Sequence, residues 1–138
     1  MNISEIFSKL IALFMFALSF IVPGSPDNVE ISVNVNDTPS QCISVEWKNS
    51  TGKAITEPRF FMEKEENGEW ERITFSQGFG FREIYTEYYP TEKGSFGIDS
   101  EIAFGEKLSP GNYRLTLYYD VINCTPDKGS SAIEFTVS

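Results

Sequence analysis

The stretch Arg59–Phe75, RFFMEKEENGEWERITF, decides the fold. At its centre stands Asn67-Gly68. A two-residue type I′ turn needs positive φ at both positions, and Asn and Gly tolerate it best. Folding the chain there sets Glu66 against Glu69, Glu65 against Trp70, Glu63 against Arg72 and Met62 against Ile73, with Phe60 facing Phe75. Side chains alternate across a strand. One face therefore carries Phe60, Met62, Ile73 and Phe75 and needs a core. The other carries Phe61, Glu63, Trp70 and Arg72 and is expected half exposed. This hairpin specifies structure and no chemistry.

The flanking segments have the same period of two. Val29–Val35 (VEISVNV) alternates, and Asp37-Thr38-Pro39-Ser40 then turns the chain. In Cys42–Lys48 (CISVEWK), Ile43, Val45 and Trp47 share a face opposite Cys42. Beyond Phe75 a Gly- and aromatic-rich connection is expected to hold a strand around Phe81–Tyr88. Glu92-Lys93-Gly94-Ser95 is expected to be a turn, with Phe96 and Ile98 in a short strand and a helical turn over Ser100–Gly105. Leu108-Ser109-Pro110-Gly111 turns into Asn112–Asp120, where Tyr113, Leu115, Leu117 and Tyr119 share a face. A loop over Asn123–Ser130 leads to a closing strand, Ala132–Val137. About seven short strands between turn signals predict an all-β antiparallel β-sandwich with Greek-key connections. PGNYR resembles a tyrosine corner, in which Tyr113 bonds back to the preceding turn.

Of the 138 residues, 11 are Lys or Arg and 20 are Asp or Glu, for a net charge of -9. Nucleic acids and anionic membrane surfaces are therefore excluded as partners, because phosphate binding is mainly electrostatic. The chain contains no histidine. Histidine-dependent triads are thereby excluded, together with the commonest general base and zinc ligand. Neither a cofactor, a metal nor a catalytic residue is expected. The acidic tip Glu63, Glu65, Glu66, Glu69 and Glu71 alternates faces rather than converging on a cation.

Residues 1–24 read as a signal peptide with a hydrophobic helix. Leu10–Val22 is an uncharged apolar run behind Lys9, too short to span a bilayer comfortably. Small residues at the cleavage site place the cut after Gly24, leaving 25–138 as one exported domain with no membrane insertion after cleavage. An uncleaved signal acting as an anchor is the alternative. Cys42 and Cys124 are expected not to pair, because they fall at opposite ends of strands running the same way.

Three stretches, ISVEWKNSTGKAI, FFMEKEENGEWERI and EKLSPGNYRLTLYY, stand in this order ahead of a closing AIEFTV. Together they resemble the bacterial immunoglobulin-like domains of exported and cell-envelope proteins. The residues that carry the likeness are Asn49; Glu63, Lys64, Asn67, Gly68 and Trp70; and Leu108, Pro110, Gly111, Tyr113 and Arg114. The resemblance spans roughly residues 29–138 and implies an immunoglobulin-like sandwich without catalytic residues. Asn36-Asp37-Thr38, Asn49-Ser50-Thr51 and Asn123-Cys124-Thr125 match the N-glycosylation pattern, which in a bacterial protein reads as unmodified turns.

The densest aromatic cluster, Phe79, Phe81, Tyr85, Tyr88 and Tyr89, is the candidate contact site for a protein or glycan partner at the cell surface. Filling the core is the competing role for these rings. The expected function is a secreted or cell-envelope binding or structural module. One rival is a small proteinase inhibitor presenting Thr91–Ser95 or Asn123–Ser130. Another is a carbohydrate-binding module, which needs several coplanar exposed rings.

Overall fold

The computed structural model describes residues 28–37, 39–81, 86–122 and 128–138. The expected signal segment lies outside them. Nine strands and one short helix form among these residues. They are β1 (Val29–Asn36), β2 (Cys42–Asn49), β3 (Ile55–Thr56), β4 (Arg59–Glu66), β5 (Glu69–Arg72), β6 (Glu87–Tyr88), β7 (Lys93–Asp99), α1 (Ser100–Phe104), β8 (Gly111–Asp120) and β9 (Lys128–Val137). One sheet has the order β1-β2-β7 and the other the order β5-β4-β8-β9, all antiparallel. The excess over seven strands is the two-residue pair β3-β6. None of the described helices is long and apolar enough to cross a membrane.

The alternation read from the sequence is the alternation of burial. Val29, Ile31 and Val33 are buried on β1, and Ile43, Val45 and Trp47 on β2. Tyr113, Leu115, Leu117 and Tyr119 are buried on β8, and Ile133, Phe135 and Val137 on β9. Both sheets contribute to one core. The central hairpin has the expected register, from Glu66↔Glu69 to Glu63↔Arg72. Asn67 has φ 54° and Gly68 φ 82°. The Ile73 amide donates to the Met62 carbonyl at 2.9 Å, which extends the pairing. Met62 is fully buried, with Ile73 and Phe75 packed partly against the core. Met62→Ala is expected to cost about 3 kcal/mol in chemical denaturation through the lost contacts and the cavity left behind. A loss below about 0.5 kcal/mol, as at an exposed site, would mean that the other hairpin face is the buried one.

The tyrosine corner is present: the Tyr113 hydroxyl donates to the Ser109 carbonyl at 2.6 Å. Helix α1 forms where one turn is expected. Asp99 Oδ1 caps it by accepting from the Glu101 and Ile102 amides, and Gly105, at φ 86°, ends it.

Three expectations need correction. Lys93-Gly94-Ser95 is not a turn but the first part of β7, and the turn falls earlier, at Pro90-Thr91. Ser130 and its two predecessors are not loop but the first residues of β9, which starts at Lys128 rather than Ala132. Within the expected strand Phe81–Tyr88, only Glu87–Tyr88 is strand; Phe81 is not, and residues 82–85 lie outside the described residues. The first two have one cause. Gly94 pairs with Trp47 and Gly129 with Tyr119, and a Cβ on either glycine would stand 2.3 or 2.5 Å from the neighbouring ring. These glycines are strand positions covered by aromatic side chains.

Cys42 is half buried at the start of β2, while Cys124 lies outside the described residues. Gln41, beside Cys42, bonds to Leu108 before β8. Ile122, shortly before Cys124 in sequence, bonds to Ala54 beyond the far end of β2.

Candidate functional site

Phe60, on the inward face of β4, is the hub of an aromatic cluster at one edge of the sandwich. Its ring meets Phe75 at 5.5 Å, Phe79 at 6.2 Å, Phe81 at 5.2 Å and Phe96 at 5.5 Å between centroids. Phe75 also stacks on Phe104 of α1 at 5.7 Å. Local hydrogen bonds hold the segment that carries Phe75, Phe79 and Phe81. The Ser76 amide donates to the Ala103 carbonyl at 2.8 Å, and the Phe79 amide to the Ser76 carbonyl at 3.1 Å. Gly78 supplies the positive φ, 86°, that this turn requires. Phe60 is buried, whereas Phe75, Phe79, Phe81 and Phe96 remain half buried.

These rings line a groove of about 720 Å³. Its floor is Phe60, Phe79, Phe81 and Phe96. Glu57 and Arg59 before and within β4, Asp120 ending β8 and Lys128 starting β9 place both signs of charge on its walls. An apolar floor with a few polar groups around it is the usual composition of a small-ligand or peptide site. Among the described residues, no group of three or more His, Cys, Asp or Glu side chains converges on one point.

The five candidate aromatics do not form a single site. Phe79 and Phe81 lie together in the groove, with centroids 5.9 Å apart. Tyr88 instead meets the Trp47 ring edge-on at 4.5 Å. Its burial, with the charges of Glu57 and Glu92 adding to the effect, raises the phenol above its ordinary pKa and keeps it neutral. Tyr89 is 58% exposed, its amide donating to Glu92 Oε1. Tyr85 lies outside the described residues. The acidic tip is partly paired, Glu63 with Arg114 at 3.0 Å and Glu66 with Lys64 at 3.2 Å. Of the two expected inhibitory loops, Lys93–Ser95 is paired with Glu46–Lys48 and is no free loop. Residues 123–127 of the other lie outside the described residues.

Sequence reasoning misses the bonding of two buried polar side chains. Gln41, 2% exposed, donates through Nε2 to the Leu108 carbonyl and accepts the Leu108 amide at 2.6 Å. It replaces a backbone pairing with a side-chain amide. Asn49, fully buried, bonds to Thr51, Lys53 and Tyr88. Its sequon nitrogen is thus occupied by carbonyls and is not a surface acceptor. Isolated Asn and Gln carry no periodic signal, although the Ser-Thr-Gly run after Asn49 marks a turn.

No curated protein matches the chain. Residues 25–126 match the family described as bacterial Ig-like domain. That span covers β1–β8 and most of the sequence, so the chain belongs to the bacterial Ig-like domain family.

Proposed function

We propose that the protein is an exported, non-catalytic binding module of the cell envelope or medium. In this reading, the Phe79–Phe81 groove contacts a protein or glycan partner. The groove is the observation that carries it: half-buried rings on its floor offer apolar area, and charges of both signs around them offer orientation. Family membership supports the non-catalytic part, since such domains are generally modules without chemistry of their own. Export is supported by the short apolar run before Gly24 and by the common occurrence of these domains in exported proteins. An extended polypeptide is favoured over a flat sugar ring. The Phe60–Phe81 and Phe79–Phe81 planes are inclined at 90° and 77°, which gives no coplanar platform.

Two measurements test this. Intact mass of the protein recovered from the medium or wall fraction is expected to begin at Ser25, and a membrane-bound product retaining residues 1–24 overturns cleaved export. Calorimetric titration with extended peptides and with cell-wall glycan fragments is expected to show saturable peptide binding. Phe81→Ser should weaken it at least about tenfold, the effect of losing one interface aromatic. Because the ring also packs on Phe60 and Phe75, a lower melting temperature is expected as well, and far-UV dichroism at the titration temperature checks that the variant is folded. Binding of neither class of ligand overturns the groove as a contact site.

A further inference from the structure

The outer face of the four-stranded sheet carries one row of charges across all its strands. Arg72 on β5 pairs in register with Glu63 on β4, Glu63 with Arg114 on β8, and Arg114 with Glu134 on β9. The signs run plus, minus, plus, minus. The cations are held flat on the sheet. The Arg72 guanidinium lies 3.8 Å from the Phe61 ring centroid and that of Arg114 4.5 Å from Trp70, while Arg114 Nε donates to Glu63 Oε1 at 3.0 Å. These contacts draw both guanidinium groups off their own strands, Arg72 onto β4 and Arg114 toward β5.

An alternating row of four charges, reversed end to end, has the opposite sign at every position. We propose that this face is a homodimer interface, two copies packing sheet to sheet about a two-fold axis parallel to the strands. That rotation sets β5 over β9 and β4 over β8 of the second copy. The backbone position of Arg72 then stands over that of Glu134, and the position of Glu63 over that of Arg114, twice each, and the two arginine heads reach these carboxylates by swinging off Phe61 and Trp70. In a neighbouring row Arg59 falls over Tyr118, which is 37% exposed. Isologous packing of this kind requires a self-complementary patch.

Charge also selects a second copy as the occupant. Each chain carries a net charge of -9, so most of its surface repels another copy. This row is neutral and matches itself. Three strands over about 25 Å and the four-residue β5 over about 13 Å, spaced about 4.8 Å apart, bury only roughly 400 Å² per copy, which places the dimer below the standard size of specific interfaces and among the weak ones.

Sedimentation velocity on the purified chain tests the proposal, from about 10 µM to about 1 mM, the range a small interface calls for. A reversible dimer is expected, weakened at least about tenfold at high salt because its pairs lie near solvent. Arg72→Glu alone puts like charges at both ends of the row, as does Glu134→Arg alone. Each variant is expected to be monomeric over the same range. An equimolar mixture of the two restores every pair and is expected to dimerise within about threefold of the original affinity. Far-UV dichroism checks that each variant is folded. A wild-type chain that stays monomeric at the highest concentration overturns the proposal by itself, whatever the variants do. Variants that dimerise like wild type, or folded variants that fail to recombine, overturn it as well.

Discussion

Gly94→Val is expected to destabilise the protein by about 4 kcal/mol, although a valine suits an ordinary strand better than a glycine does. Gly94 pairs with Trp47 across β2 and β7. The indole lies over the glycine, and an added Cβ would stand 2.3 Å from Cζ2 and 2.6 Å from Cε2. The ring has little room to yield, because it is 4% exposed and held against the Tyr88 ring at 4.5 Å. The variant must either expel the indole or spread the strands. Expelling a buried Trp costs about as much as truncating it, about 3–5 kcal/mol, and overpacking a core costs about 1–3 kcal/mol. Chemical denaturation measures the loss, and a double-mutant cycle identifies its cause. In a Trp47→Ala background the same Gly94→Val change should cost less than about 1 kcal/mol, since the clash is gone. Equal costs in both backgrounds would show that the indole is not what confines Gly94.

This position also shows where sequence reading reaches its limit. The hairpin about Asn67-Gly68 is legible because turn chemistry and alternation point to the same register. Pairing of Glu65 with Trp70 and of Glu63 with Arg72 requires no tertiary information. Glycine ordinarily breaks strands, so Gly94 and Gly129 read as loop along the chain. The reason they are strand, an aromatic ring lying over each, belongs to the partner strand and is invisible in their own segments. The candidate aromatics divide for a similar reason. Phe79 and Phe81 reach Phe60, while Tyr88 reaches Trp47, and spacing between residues 79 and 89 contains neither destination. The charge row is half legible: the hairpin gives Glu63 opposite Arg72, but Arg114 and Glu134 join only when the strand order is known.

Asn49→Asp, which changes one atom type, is expected to cost about 4 kcal/mol at neutral pH, on the scale of two buried groups left without partners. Asn49 ends β2 with its side chain fully buried. Nδ2 donates to the Lys53 carbonyl at 2.7 Å and to the Tyr88 carbonyl at 3.0 Å. Oδ1 accepts from the Thr51 amide at 3.1 Å and from its hydroxyl at 2.7 Å. One amide group thus closes the Asn49–Lys53 turn and ties it to the end of β6. Its backbone adds pairings with Glu92 and Thr91. A carboxylate keeps the two accepted bonds but can donate none. It turns a charge toward two carbonyl oxygens, and each buried group left without its partner costs about 1–3 kcal/mol. The sign of the pH dependence follows. Burial beside carbonyls favours the neutral acid, so the folded-state pKa of the introduced carboxyl lies above its unfolded value of about 3.9. Protonation restores one donor, so the deficit should be smallest below the unfolded pKa and should grow as pH rises through the folded one. Thermal melts of wild type and variant across this pH range measure the difference. A gap in melting temperature that stays constant with pH would show that the introduced carboxyl has left the buried site for solvent, and that the turn is not held by the Asn49 amide.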